Sequence, residues 1–436
     1  MTDLVAARTQ MAMSLGFHIL FAAAGIAMPL LMALAESVWL RTRDPVYLEL
    51  AKRWAKGTAI LFAVGAVSGT VLSFELGLLW PEFMRFAGPI IGMPFSLEGA
   101  AFFLEAIFLG VYLYGWDRVR PAVHLAAGFG VAASGALSGM FVVTANAWMN
   151  APTGFTVVDG RIVDVDPWAA MFNDAAFAEA LHMTLAAYLA VAFAVAGVHA
   201  SVLLKSPDSV FHRAALKVAL ALGLVAAVLQ PISGHHSAVS VAERQPAKLA
   251  AMEALWETTT GPGLMIGGWP DEEAEETRYG VEVPYLLSIL IDGSTTYEVV
   301  GLEDIPVDER PPVAVVHVAY QIMVACGTAL AGLALLVAFL WVKRRAVPTD
   351  PWLLRSLVLA SPLGFIAIEA GWTVTEVGRQ PWVVYGHLKT ADALTEVTGL
   401  QASLAIYTLV FVLLAVVVVA LLRRQVFLSP DAWKRW

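Results

Sequence analysis

"VTGLQASLAIYTLVFVLLAVVVVALLRR", residues 397–424, decides the fold class. From Val397 to Leu422 it carries no charged side chain, and it stops on Arg423 and Arg424. A bilayer core demands about 20 consecutive apolar residues, so this stretch reads as a membrane span. Working outward, eight further stretches have the same character, at roughly 11–39, 54–80, 94–115, 121–147, 177–204, 214–232, 312–342 and 352–375. The composition agrees: the 436 residues are 59% hydrophobic and 14% charged, where a soluble domain is nearer a quarter charged. The chain reads as an all-α polytopic membrane protein with nine transmembrane helices.

Orientation follows from the basic residues. With the N-terminus outside, the inner connections hold Arg41, Arg43, Lys52, Arg53, Lys56, Arg118, Arg120, Lys205, Arg213, Lys217, Lys343, Arg344, Arg345 and Arg355, and the C-terminal end holds Arg423, Arg424, Lys434 and Arg435. These are most of the 27 lysines and arginines. The positive-inside rule then gives N-terminus outside and C-terminus cytoplasmic. Three regions result: 1–232 with helices 1–6, an extracytoplasmic loop over 233–311, and 312–436 with helices 7–9 and a cytoplasmic tail. A loop that long is unlike an idle connection. Its "DEEAEETRYG" (271–280) reads as a solvated face. Its "QPAKLAAMEALWET" (245–258) places Lys248, Met252 and Leu255 at helical spacing, predicting a short amphipathic helix lying on the membrane surface.

Some chemistries fall away at once. The single cysteine, Cys326, allows no disulfide framework, CxxC zinc site or CxxCH haem attachment. A net charge of -9 argues against nucleic acid as a partner. The start, "MTDLVAARTQMAM", has no charged region followed by a short apolar core, so no removable signal peptide is expected.

Ionisable residues inside spans are costly and point to function. Those at depth are His18, Glu75, Glu98, Glu105, His182 and Glu369. His317 stands near a span start. His124, His199 and His212 stand near inner ends beside basic residues and read as interfacial. At 1.5 Å per residue, His18, Glu98, His182 and Glu369 lie roughly 7–11 Å below the outer surface, with Met323 somewhat deeper. Taken singly, a membrane histidine is usually a packed polar group and a methionine is usually core; a shared depth makes them a set. Imidazole and thioether together ligate low-spin electron-transfer haem, while a single imidazole or an anionic oxygen leaves iron open. Glu98 and Glu105 are seven apart, hence on one helix face about 10 Å apart. They are either two stations of a proton path or two protonated acids that link helices. A haem–copper oxidase would need a larger histidine cluster, and a cytochrome b with two bis-histidine haems would need paired histidines on two helices.

Several motifs are recognisable. "EGAAFFLEAIF" (98–108), "GWDR" (115–118), "KLAAMEALWET" (248–258), "MVACG" (323–327) and "GRQPW" (378–382) together resemble subunit I of cytochrome bd-type quinol oxidases. The resemblance runs from His18 through the eighth span. It implies three haems: a low-spin haem b held by His182 and Met323, and two high-spin haems, one held by His18 and one by Glu369. These two would be a haem b and either a haem d or a second haem b; which residue serves the oxygen-reducing haem stays open. Glu98 would lie at the iron of the His18 haem. Glu105, Ser138 and Asn146 would line a proton route. Lys248 and Glu253 match residues of quinol oxidation, in an outer lobe that corresponds to the family's Q-loop. Arg379 and Trp382 would stand beside haem and quinol, with Arg379 suited to a propionate.

The implied activity is a quinol:oxygen oxidoreductase of the bacterial cytoplasmic membrane. It would oxidise quinol at the outer face and reduce oxygen to water with cytoplasmic protons, electrogenic without pumping. A second large subunit and single-helix small subunits are the implied partners. Two departures stand out. Gln321 occupies a position where the family often has arginine, which should lower the low-spin haem's potential. The outer loop is of the short kind, and with the loop start "SGHHSAVSVAERQP" it points to the cyanide-insensitive branch. The rival readings are a proton-coupled transporter built on Glu98, Glu105 and Glu369, with discontinuous helices, and a haem electron carrier without oxygen chemistry.

Overall fold

The computed structural model describes residues 1–426; Lys434 and Arg435 of the basic set lie outside the described residues. The chain opens with four long helices, α1 (Asp3–Thr42), α2 (Pro45–Leu79), α3 (Pro81–Tyr114) and α4 (Pro121–Asn150). A hairpin of β1 (Thr156–Val158) and β2 (Arg161–Val163) and a short α5 (Pro167–Met171) follow. Then come α6 (Ala176–Leu203) and α7 (Val210–Arg244). The outer lobe holds α8 (Pro246–Glu253), β3 (Thr259–Thr260), β4 (Leu264–Asp271), β5 (Glu276–Val283), α9 (Leu286–Asp292) and β6 (Glu298–Val299). The chain re-enters the bundle as α10 (Val313–Arg344), α11 (Pro351–Ala360) and α12 (Leu363–Val377). The pair β7 (Trp382–Val384) and β8 (Leu388–Lys389) precedes the last helix, α13 (Leu400–Gln425).

Helix starts are set by chemistry that the sequence displays. Thr2 and Asp44 accept hydrogen bonds from the first-turn amides of α1 and α2, and proline opens α2, α3, α4, α8 and α11. Proline suits a first turn because its missing N–H would have no partner there. Nine helices among the described residues are long and apolar enough to cross a membrane, with α11 and α12 together making the eighth. The nine-span, all-α bundle is as the sequence predicts, and it carries four two-stranded antiparallel sheets in its connections.

Two spans depart from expectation. The sixth does not stop at residue 232: α7 continues through Pro231 to Arg244. Proline is tolerated inside membrane helices, and α7 runs on past it. The eighth span, expected as one helix, breaks at Ser361–Pro362 into α11 and α12, because proline cannot continue the ladder and clashes with the preceding turn. There α12 runs very close to α6: a Cβ on Gly364 would lie 2.4 Å from the Ala190 Cα.

Packing centres on α1, which touches α2, α4, α6, α7, α12 and α13. Ile19, Ile26, Ala187, Ala190 and Ile368 form a buried cluster joining α1, α6 and α12, with Met183 and Trp372 against it. Ile19, Met183 and Ile368 are the sequence neighbours of His18, His182 and Glu369, so this cluster brings those three helices together. In the lobe, β4 and β5 pair from Leu264↔Val283 to Asp271↔Glu276. The acidic tip is mostly exposed, as expected of a solvated face, but Glu272 also accepts from the Ala314 amide (3.0 Å) and so caps the first turn of α10.

Candidate functional site

The four predicted iron donors sit in a common setting. His18 Nδ1 is 2.9 Å from Ser68 Oγ on α2, and His182 Nδ1 is 3.1 Å from Ser233 Oγ on α7. Each donor also faces a glycine. A Cβ on Gly69 would lie 3.0 Å from His18 Cε1; on Gly234, 3.3 Å from His182 Cε1; on Gly371, 3.0 Å from Met323 Sδ; and on Gly16, 3.0 Å from Glu369 Oε2. Side-chain space is thus withheld next to all four. Glu369 lines an apolar cavity of about 1190 Å³ between α1, α6, α10 and α12, with Phe21, Met28, Val195, Ile322 and Phe365. Its Oε1 is buried without a hydrogen-bond partner, and such a group is costly unless something else satisfies it.

This donor set fits haem. Among the described residues no three His, Cys, Asp or Glu side chains converge on one point. A macrocycle supplies the equatorial ligands itself, so single axial donors are what the protein must provide, and of the four Glu369 lines the apolar cavity.

The proton-path candidates line the α3–α4 interface. Glu105 is buried and faces Gly135. Ser138, one turn outward on α4, points its hydroxyl at Glu98 Oε1 at 3.5 Å. Asn146 lies two turns further and donates to Glu376 Oε1 (2.5 Å). The polar positions therefore form a ladder along one seam, but Asn146 belongs to its outer end and not to the surroundings of Glu105.

That outer end is a buried knot. Glu376 Oε2 accepts from Arg379 (2.6 Å). Asn150 Oδ1 accepts from Lys248 Nζ (3.1 Å), Arg379 (3.3 Å) and Gln245 (3.4 Å), and its amide donates to Glu179 (2.9 Å) and Asn146 (3.1 Å). Asn150 thus links Lys248 and Arg379 to Glu179, while Glu376 pairs with Arg379 directly. Burial, and then the positive charge of Arg379, push the Lys248 ammonium well below its ordinary range. The resemblance singles out Arg379 and Lys248; it passes over Asn150, Glu179 and Glu376, whose polar character at a span end reads from sequence as ordinary interface. Trp382 is not in the knot: it lies in β7 with Lys389 Nζ 5.3 Å from its ring.

Other expectations need correcting. The helix α8 does not lie half-solvated on a surface, since Ala247 to Glu253 are all buried. It packs against α7 and α10, so its apolar residues find protein on more than one side. Glu253 is held by the Tyr320 hydroxyl and the Met265 backbone, and burial pushes its carboxyl up to about 7. Gln321 is not free to face a haem: its amide donates to the Met265 carbonyl (2.9 Å) and accepts from the Gly267 amide (3.0 Å). Together with His317, which bridges the Met252 and Gly267 carbonyls, it clasps β4 and α8 onto α10. His124 and His199 are buried, not interfacial. Glu36 on α1 takes His124 Nδ1 at 2.8 Å, and His199 meets His212 at 2.8 Å.

A test of the clasp follows. Each hydrogen bond of Gln321 contributes about 1 kcal/mol, so Gln321→Ala should speed amide exchange across 264–283 several-fold and leave the exchange of α1 and α6 unchanged. Uniform protection in the variant would show that the hairpin does not depend on residue 321.

Isolated imidazole, thioether and carboxylate donors on adjoining membrane helices are the donor types suited to a membrane haem protein. Comparison makes the class specific. The family model for cytochrome bd terminal oxidase subunit I matches residues 6–430. A Bacillus subtilis protein provisionally described as a cytochrome bd menaquinol oxidase subunit I is 38% identical over 429 residues, covering 97% of this chain and 96% of that protein. The cytochrome bd ubiquinol oxidase subunit 1 of the same species is 34% identical over 441 residues, covering 98% and 94%. The structure of the bd oxidase from Geobacillus thermodenitrificans matches with a TM-score of 0.92 and 38% identity, covering 97% of this chain and 98% of that one. The chain belongs to the cytochrome bd terminal oxidase subunit I family. It is a multi-pass protein of a bacterial membrane. The broken eighth span is the one feature the transporter reading would have claimed; family membership sets aside both that reading and the electron carrier without oxygen chemistry.

Proposed function

We propose that this chain is the haem-bearing subunit of a terminal respiratory quinol oxidase, oxidising quinol at the outer lobe and passing electrons inward to an oxygen-reducing haem. The observation that carries the reading is the set of four single donors, each beside a glycine, on helices that converge at α1, α6 and α12. His182 and Met323 would hold a low-spin haem b. His18 and a carboxylate of α12 would hold two high-spin haems, the second of them a haem d or a further haem b. Bound haem supplies one-electron carriage and an iron at which oxygen is reduced. The protein's own part is orientation, exclusion of water by apolar walls, and proton movement. Glu253, poised near neutrality, accepts a quinol proton at the outer side. Glu105 and Glu98 relay protons outward along the α3–α4 seam, with Ser138 beside Glu98. Placing the N-terminus outside makes these protons cytoplasmic in origin, which makes turnover electrogenic without a pump.

Subunit II is the expected partner. The faces of α3 and α13 that display Phe103, Ile107, Leu409, Leu413 and Val416 are available to it, to single-helix small subunits and to lipid. Arg379, buried with its Nε unpartnered, suits a haem propionate. The visible spectrum of the purified oxidase, with and without carbon monoxide, tests the whole reading. A low-spin signal together with a CO-reactive haem is expected, and a protein without the CO-reactive haem would refute oxygen chemistry at this chain.

The carboxylate ligand has its own test. Glu369 and Glu376 are seven apart on α12, on one face. Glu369 has the unpartnered oxygen, whereas Glu376 is taken by Asn146 and Arg379. Glu369→Ala should therefore lose one high-spin haem, read by pyridine haemochrome content. Full haem in Glu369→Ala, with loss in Glu376→Ala, would move the ligand to Glu376.

A further inference from the structure

Both predicted haem histidines are seated in the same way, and the seat is a Ser-Gly step on the next helix. Ser68-Gly69 on α2 faces His18, and Ser233-Gly234 on α7 faces His182. Both serines are buried. The direction of the hydrogen bond can be assigned. Ser68 Oγ already donates within its own helix, to Val64 O (2.9 Å) or Gly65 O (3.1 Å). Ser233 Oγ donates to Gln230 O (2.9 Å). A hydroxyl has one hydrogen, so in each pair the serine oxygen must accept and the imidazole Nδ1–H must donate. A ring protonated at Nδ1 has its lone pair on Nε2. At His182 the Gln230 amide nitrogen lies 3.2 Å from Nε2 and 3.3 Å from Nδ1, and so does not discriminate between the two tautomers. The glycine completes the seat, because no Cβ crowds the Cε1 edge of either ring.

We infer that Ser68 and Ser233 are positioning residues for the haems of this oxidase. Each fixes one histidine in the Nδ1–H form and turns Nε2 toward iron. The inference rests on the ligation proposed above. Its physical consequence is electronic as well as geometric. Donating Nδ1–H to an oxygen raises the basicity of the ligating nitrogen and favours ferric iron. The serine chain, whose oxygen passes its own hydrogen to a carbonyl, is a neutral version of the carboxylate partner found at many metal-bound histidines. Removing the acceptor should weaken donation and move that haem's midpoint potential to a more positive value.

The test is a redox titration of the assembled, haem-loaded oxidase with each haem followed at its own wavelength. Ser233→Ala should shift the low-spin haem alone, and Ser68→Ala one high-spin haem alone. Ser233→Thr and Ser68→Thr, which keep an oxygen able to accept and donate, should return each potential to the parental value. A serine variant that loses its haem is judged by its threonine counterpart: recovery supports the assignment and continued loss overturns it. Midpoints unchanged in both alanine variants, a shift common to all haems, or threonine variants displaced as far as alanine would each overturn the inference. His18→Ala and His182→Ala separate the two levels. If those variants lose their haems while the serine variants are silent, only the seat fails; if they keep them, the ligation fails.

Discussion

Met323→Leu abolishes the low-spin haem signal in the reduced-minus-oxidised spectrum and leaves the high-spin haems bound. Leucine and methionine have similar volumes, and such exchanges usually cost less than about 1.5 kcal/mol in a packed core, so the helix should stay in place. What leucine lacks is the thioether lone pair. Met323 Sδ points at the bare backbone of Gly371 on α12, so nothing nearby substitutes for it. If His182 and Met323 hold the low-spin haem as proposed, leucine would leave His182 as its one protein ligand, and the low-spin signal and the electron passage it supports would be lost. A low-spin band of parental size in the purified variant would mean that Met323 is ordinary core.

Glu253→Gln should slow quinol oxidation by roughly 100-fold or more, the usual range for removing a general base, while haem spectrum and CO binding stay intact. Glu253 is buried between α8, α10 and β4, with Oε2 unpartnered. The sign of its pH dependence is fixed by burial. A base must be ionised to accept a proton, and a carboxyl raised to about 7 ionises as pH climbs through neutrality. Parental quinol oxidation should therefore rise over that window, and the glutamine variant should lose that limb. Glutamine is isosteric and keeps a carbonyl oxygen for Tyr320, so haem loss in this variant would mark Glu253 as a support of the fold. A parental rate would put the proton acceptor elsewhere in the lobe.

The nine spans were legible because lipid demands runs of apolar residues that no other environment explains, and 397–422 has no charge at all. His18, His182 and Glu369 were legible for the complementary reason, as polar groups where lipid penalises them. What failed was whatever depends on a neighbour. Pro231 and the polar "SGHHS" beyond it looked like a helix end, yet α7 runs on intact to Arg244. Gln321 looked like a lost arginine beside a haem because its partners, the backbone of Met265 and Gly267, lie more than fifty residues away. His124 looked interfacial because Glu36 is far off in sequence. Ser68 stands between Gly65 and Gly69, small residues that suit close helix packing; its pairing with His18, and the same Ser-Gly step opposite His182, depend on a second helix and so are not legible in the stretch itself.

The unbroken course of α7 sets a rule for change in this chain. One rod carries the His182 seat at Ser233 and, a single residue past its end at Gln245, hands over to the helix that bears Lys248 and Glu253. Adding one residue between 235 and 244 would advance everything beyond it by about 1.5 Å and turn it by about 100°, putting the quinol-side residues out of register with the haem. The far side of the lobe has no such constraint. Around Gly293, between α9 and β6, the chain is largely exposed and its bonds are local to the lobe, so extra length there would leave both ends of α7 where they are. Growth of the lobe should be one-sided, accumulating toward α10 and sparing the junction at Gln245.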